Sequence, residues 1–169
     1  MTPSTIGRQL DRLTQVRTGN HRVVSCYLKL EPRDRARNKY LIKLKNRIRT
    51  IERSLDELDW DRKTREDVQH DLDRVLEFVK HPENLPATQG VAIFACRALR
   101  LFESVALPRV YRSRLAVDRS PLIRELASAE DEFGRLFTVV LDRTAARFFE
   151  VTAFNVTELD SMRADYTRG

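Results

Sequence analysis

The chain has 169 residues, 41% hydrophobic, 33% charged and 8% aromatic with a net charge of +6, which is apolar material for one buried core and the beginning of a second domain. Apolar runs such as Val91 to Cys96 fall far short of the roughly 20 residues of a membrane helix, and MTPSTIGRQLDRLTQV has neither the apolar segment nor the cleavage site of a signal peptide, so a cytoplasmic protein is expected. The five glycines, Gly7, Gly19, Gly90, Gly134 and Gly169, compose no phosphate-cradling loop, and His21, His70 and His81 lack ligand spacing, so neither a nucleotide cofactor nor a metal is expected.

In chain order, Ile6, Leu10, Leu13 and Val16 predict an amphipathic helix over 4–18, begun near Ser4 or Thr5 and broken at Gly19-Asn20. Val23 to Leu30 (VVSCYLKL) is rich in β-formers and stops at Glu31-Pro32, so a strand is predicted. The spacing of Leu44, Ile48, Ile51, Leu55 and Leu58 predicts a long helix from about Arg37 to Leu58. Val68, Leu72, Val75, Leu76 and Val79 predict a returning helix with Asp59 or Asp61 as its cap, making an antiparallel hairpin. Three strands are predicted next, over Gly90 to Cys96, Leu101 to Leu107 and Tyr111 to Val117. Ser120-Pro121 then offers a cap and a first helical position for a helix to about Ala129. Cys26 and Cys96 lie inside apolar runs and read as buried thiols.

This inventory completes an α/β domain over 1–131, a mixed β-sheet layered with helices that include the long antiparallel hairpin. Arg135 to Asp142, Ala145 to Thr152 and Val156 to Met162 predict three further strands, turning at Arg143-Thr144 and Phe154-Asn155. The first two carry apolar residues on both faces, among them Phe137, Val139, Val140, Phe148 and Phe149, and no helix remains to cover them. Residues 132–169 are therefore expected to be the truncated start of a second β-rich α/β domain.

Charge is segregated along the hairpin. Residues 33–53 hold nine Lys/Arg against Asp34 and Glu52, a balance of +7, whereas 54–85 hold ten Asp/Glu against five Lys/Arg, a balance of −5. At about 100° per residue, Lys39, Lys43, Lys45, Arg49 and Arg53 fall opposite the Leu/Ile stripe and form an exposed basic face. Such a face suits a polyanion, and guanidinium groups match phosphate bidentately, so these five residues are the candidate RNA-binding set.

The order of pieces resembles the archaeal and eukaryotic class-1 peptide release factor superfamily, with its pelota-type rescue factors and divergent bacterial relatives. VVSCYLKLEPRDR is similar to the family's first strand and Pro-containing loop, GVAIFACRALRLFESVALP to its central hairpin, and VDRSPLIRELAS followed by LFTVVLDRTAARFFEV to the passage into its second domain. Ala146-Arg147-Phe148 is the most specific match, and DYTRG at the C-terminal end falls where the loop that carries Gly-Gly-Gln in the family begins. The resemblance implies binding near the ribosomal A site, with ribosomal RNA and a translational GTPase as partners. The family's stop-codon motifs, Asn-Ile-Lys-Ser and Tyr-x-Cys-x-x-x-Phe, are not matched by Asn38-Lys39-Tyr40 or by Tyr111-Arg-Ser-Arg-Leu-Ala-Val117, and Gly-Gly-Gln is absent from these residues. Rescue or hibernation of ribosomes therefore fits the resemblance better than stop-codon reading, and no catalytic residue is assigned.

Two function classes follow. One is a ribosome-associated RNA-binding protein, with no membrane or DNA partner. The other is a protein-interaction or self-association module in which the basic and acidic arms dock electrostatically. Arg147, a lone arginine near a turn, is expected to pair with Asp142 or Glu150 rather than to catalyse.

Overall fold

A computed structural model describes residues 5–55 and 57–163; Ser4 and the tail Asp165 to Gly169 lie outside the described residues. Helix α1 (Thr5–Thr14) leads into strand β1 (Val23–Lys29), a short helix α2 (Pro32–Arg35), and the long helices α3 (Lys39–Leu55) and α4 (Arg62–Lys80). Strands β2 (Gly90–Cys96), β3 (Leu101–Leu107) and β4 (Arg114–Asp118) and helix α5 (Arg124–Phe133) follow. The first sheet has the order β3-β2-β1-β4, and each of its strand pairs is antiparallel.

The period of two along the central strands explains the layering. Val24, Cys26 and Leu28 of β1, with Val91, Ile93 and Ala95 of β2, point to one face, where they pack with Leu44, Ile48 and Leu55 of α3 and Val68, Leu72, Val75 and Val79 of α4. The alternate residues Tyr27, Ala92 and Phe94 point to the other face, under Ile6 and Leu13 of α1 and Leu126 and Ala129 of α5. Helices on both faces leave β1 and β2 no wet side, which is why both read as unbroken apolar runs. Both cysteines are buried and free, and burial pushes the Cys26 thiol up to about 12. Gly90 is required by close approach: a Cβ there would sit 2.9 Å from the Val110 backbone nitrogen.

Local chemistry moves several predicted boundaries. Asn38 adopts a left-handed φ of 49°, so the chain breaks between α2 and α3 instead of entering one helix at Arg37. Leu58 lies beyond α3 and is 41% exposed, because the chain has already turned toward the Asp61 cap, whose carboxylate accepts from the Thr64 amide at 2.9 Å. Helix α5 begins at Arg124, without Ser120 as its cap. The segment ahead of it is held across the sheet: the Leu122 amide donates to Ser25 Oγ at 3.0 Å and the Tyr27 hydroxyl donates to the Leu122 carbonyl. These bonds keep 120–123 out of the helix. Strand β4 likewise starts at Arg114 rather than Tyr111, since Ser113 Oγ accepts from the Lys29 amide and ends the loop there.

Asp71 of α4 is a buried carboxylate whose Oδ2 accepts from the Arg97 amide at 2.9 Å while its Oδ1 has no hydrogen-bond donor among the described residues. Burial holds its carboxyl above the ordinary range, opposed by the Arg97 amide and by His70 and raised further by Asp67. The folded state therefore keeps this proton to higher pH than the unfolded chain does, and stability is lost as pH rises through the interval between the two pKa values. Asp71→Asn retains the acceptor for Arg97 and removes that loss. Its gain in denaturation midpoint over wild type is expected to grow from pH 4 to pH 7, and a gain independent of pH would sink this account.

The second sheet has the order β5-β6-β7, with β5 (Leu136–Leu141), β6 (Ala145–Val151) and β7 (Val156–Glu158) antiparallel and β8 (Met162–Arg163) also paired with β6. The third predicted strand is thus two short ones; between them the Leu159 amide still donates to the Phe148 carbonyl. All six residues of β5 are exposed, with Leu136 at 63%.

Candidate nucleic-acid interface

Helix α3 presents the basic face. Tyr40, Leu44, Ile48 and Leu55 are buried against the sheet, and Lys39, Lys43, Lys45, Arg49 and Arg53 are exposed on the opposite arc. Lys45, Arg49 and Arg53 stand at intervals of four residues, a row with about 6 Å of rise per step. Together with Lys39 they have no hydrogen-bond or ion-pair partner among the described residues. Ile42, 56% exposed, stands among these cations, an apolar contact that the charge pattern does not reveal.

Three cations of the +7 segment are committed differently. Lys43 Nζ is 2.8 Å from Oδ1 of the buried Asp34, so its ammonium neutralises a carboxylate beneath the face. Replacing it by Glu would set two carboxylates together, and charge reversal of the face is cleaner at Lys45, Arg49 and Arg53. Arg35 donates from Nε to the Leu30 carbonyl at 3.1 Å and from Nη2 to the carbonyls of Pro86 and Thr88; it is a structural clamp. Arg47 is half-buried and turns to a different surface, a cleft of about 700 Å³.

That cleft is lined by Arg47, by Arg109, Arg112 and Arg114 around β4, and by Arg124 of α5. Its sequence signal was legible as RVYRSRLAVDRSPLIR, five arginines in sixteen residues with one acid, but the run does not show which of them converge.

The acidic arm is bonded within itself. Glu66 pairs with Arg62 at 2.7 Å, Glu77 with Lys80 at 2.8 Å, and Gln69 donates to both Glu52 and Asp73. In the second sheet, Arg147 pairs with neither Asp142 nor Glu150. Its Nε and Nη2 donate to the two carboxylate oxygens of Glu158, each at 2.7 Å, while Glu150 is taken by Arg135 at 3.2 Å and Asp142 accepts from the Thr144 and Ala145 amides. The Glu158 carboxylate raises the Arg147 pKa, and this bidentate pair ties β7 to β6.

Among the described residues no helix is long and apolar enough to cross a membrane. No protein-family model matches the chain, and no curated protein does. Its fold is found in solved structures. One, described as an archaeal protein, has a TM-score of 0.57 at 14% identity, over 96% of this chain and 45% of that one. Another, the crystal structure of archaeal translation termination factor aRF1, has a TM-score of 0.55 at 15% identity, over 94% of this chain and 43% of that one. The chain thus spans less than half the length of the structures it matches, and what it shares with them is a fold of two successive sheets, the first layered between helices.

Proposed function

We propose that the protein binds ribosomal RNA through the outer face of α3, in a translation-associated role such as ribosome rescue or hibernation and without reading a stop codon. The observation that carries this reading is the row Lys45, Arg49 and Arg53, three exposed cations without partners among the described residues on a fold shared with a translation termination factor. Contacts from such a row go to phosphates; they position a protein on RNA and carry no sequence information. Self-association of the two arms is disfavoured by the acidic arm, where Glu66, Glu77 and Asp73 already have a cation or an amide within reach. On this reading residues 1–131 are the RNA-binding domain, 132–169 are the first strands of a second domain, and the protein works in the cytoplasm beside a translational GTPase. Among the described residues Phe133, at the end of α5 and two residues past that boundary, is the last hydrophobic side chain that packs on the core of the first sheet.

The test is co-sedimentation with bacterial ribosomes across a salt series. Wild type is expected to pellet at low salt and to be released steeply as salt rises, whereas Lys45→Glu/Arg49→Glu/Arg53→Glu loses at least tenfold in affinity with an unchanged melting curve. Equal pelleting of the two proteins at every salt concentration would remove α3 as the interface.

A further inference from the structure

The arginine cleft beside β4 is not used by the α3 face. Arg47, Arg112 and Arg124 line it from three separate segments and have no hydrogen-bond or ion-pair partner among the described residues. The acids that share the lining are engaged, Glu125 with Arg114 at 2.6 Å and Glu132 with the Tyr111 hydroxyl at 2.6 Å. Three unpaired guanidinium groups around one volume repel each other, and carboxylates brought in from outside relieve this. Between these cations the lining is apolar, with Val110, Leu115 and Phe133. The chemistry of the cleft therefore suits an acidic segment with an apolar side chain between its charges.

The tip of the helical hairpin is such a segment. Glu57, Leu58 and Asp59 are all exposed, and neither carboxylate has a hydrogen-bond or ion-pair partner among the described residues. The ion pairs of the acidic arm begin beyond the tip, at Arg62. The turn is held in shape by its backbone: the Glu57 amide donates to the Ser54 carbonyl at 3.1 Å and the Trp60 amide to the Leu58 carbonyl at 2.8 Å. Docking a segment already ordered in this way costs little further entropy. A cleft of about 700 Å³ has room for its three side chains.

The tip cannot fill the cleft of its own molecule. Arg22, just before β1, lies over the Trp60 ring at 4.9 Å, whereas Tyr27 and Lys29 at the other end of β1 meet Arg114 and Ser113. Tip and cleft thus stand at opposite ends of a seven-residue strand, about 20 Å apart along it. Two complementary but different surfaces placed so join copies head to tail.

We propose that the protein self-associates head to tail, the Glu57-Leu58-Asp59 tip of one copy seated in the Arg47, Arg112 and Arg124 cleft of the next. The inference does not rest on the RNA reading, and the contact is between tip and cleft, not between the two arms.

The test is sedimentation equilibrium of the full chain over a concentration and salt series. Wild type is expected to rise above the monomer mass with concentration at low salt and to return to it at high salt. Glu57→Lys/Asp59→Lys and Arg112→Glu/Arg124→Glu are each expected to associate at least tenfold more weakly, because each sets like charges together. Their equimolar mixture is expected to recover association, since acidic tips then meet arginine clefts again. Should the glutamate pair melt early, Arg112→Gln/Arg124→Gln takes its place throughout, with an expected loss of at least fivefold. A wild type that stays monomeric at every concentration overturns the proposal, as does a mixture no more associated than either variant alone. Association lost in the cleft variant but kept in the tip variant would mean that another acidic segment fills the cleft, and overturns it too.

Discussion

Phe94→Ala is expected to cost about 3–5 kcal/mol of folding stability, most of the reserve of a domain whose total is of order 5–15 kcal/mol. Phe94 is the wholly buried centre of the face beneath α1 and α5, and its ring meets Tyr27 edge-on at 5.9 Å. Relaxation cannot fill the space it leaves. Tyr27 is held by its hydroxyl bond to the Leu122 carbonyl, and Ala92 on the same strand offers no bulk to move in. The transfer loss and the cavity therefore add. The denaturant midpoint reads the effect directly, with Phe154→Ala as a comparison because Phe154 is 47% exposed and its loss is expected to cost less than about 0.5 kcal/mol. A cost below about 1 kcal/mol for Phe94→Ala would mean that this face is not packed as described.

Arg35→Ala is the second large effect, about 2–4 kcal/mol, from three part-buried carbonyls that lose their donor together. Lysine does not rescue it, because one ammonium lacks the planar fork that reaches Leu30 on one side and Pro86 with Thr88 on the other. The functional consequence is indirect. Arg35 ties α2 to the exit of β1, and α2 carries Asp34, the anchor of Lys43 at the start of α3. Losing the clamp is expected to weaken ribosome pelleting although no cation of the Lys45, Arg49, Arg53 row has changed. Thermal melts and pelleting of Arg35→Ala and Arg35→Lys below both melting temperatures separate the contributions. A lysine variant that matches wild type in both would reduce Arg35 to a surface charge.

Arg35 also shows where charge counting fails. In the sequence it is one of nine cations in a +7 segment, indistinguishable from Arg49. In the structure its guanidinium is spent on carbonyls about fifty residues away, and the basic face is smaller and more ordered than the count implies. Arg147 gives the same lesson in the second sheet: proximity along the chain favours Asp142 and Glu150, but the register of β6 against β7 delivers Glu158.

The β-forming apolar runs VVSCYLKL and GVAIFAC, the Leu/Ile and Val/Leu stripes of the hairpin, a capping aspartate at Asp59 or Asp61 and the outward arc of Lys39 to Arg53 were all legible in the sequence itself. Each is a local signal, a strand-forming composition, a helical period of 3.6 or a capping side chain, and it holds wherever the element lies. The start of α5, the anchoring of Lys43, the clamp at Arg35 and the convergence of Arg47, Arg112 and Arg124 were decided only by the tertiary structure. The first three depend on polar partners distant from the local pattern, such as Ser25 and Leu122, 97 residues apart, and the last on three segments that the fold brings to one cleft. A hydrogen bond is specific to one pair of atoms, and no period in the chain encodes which pair the fold will bring within 3 Å.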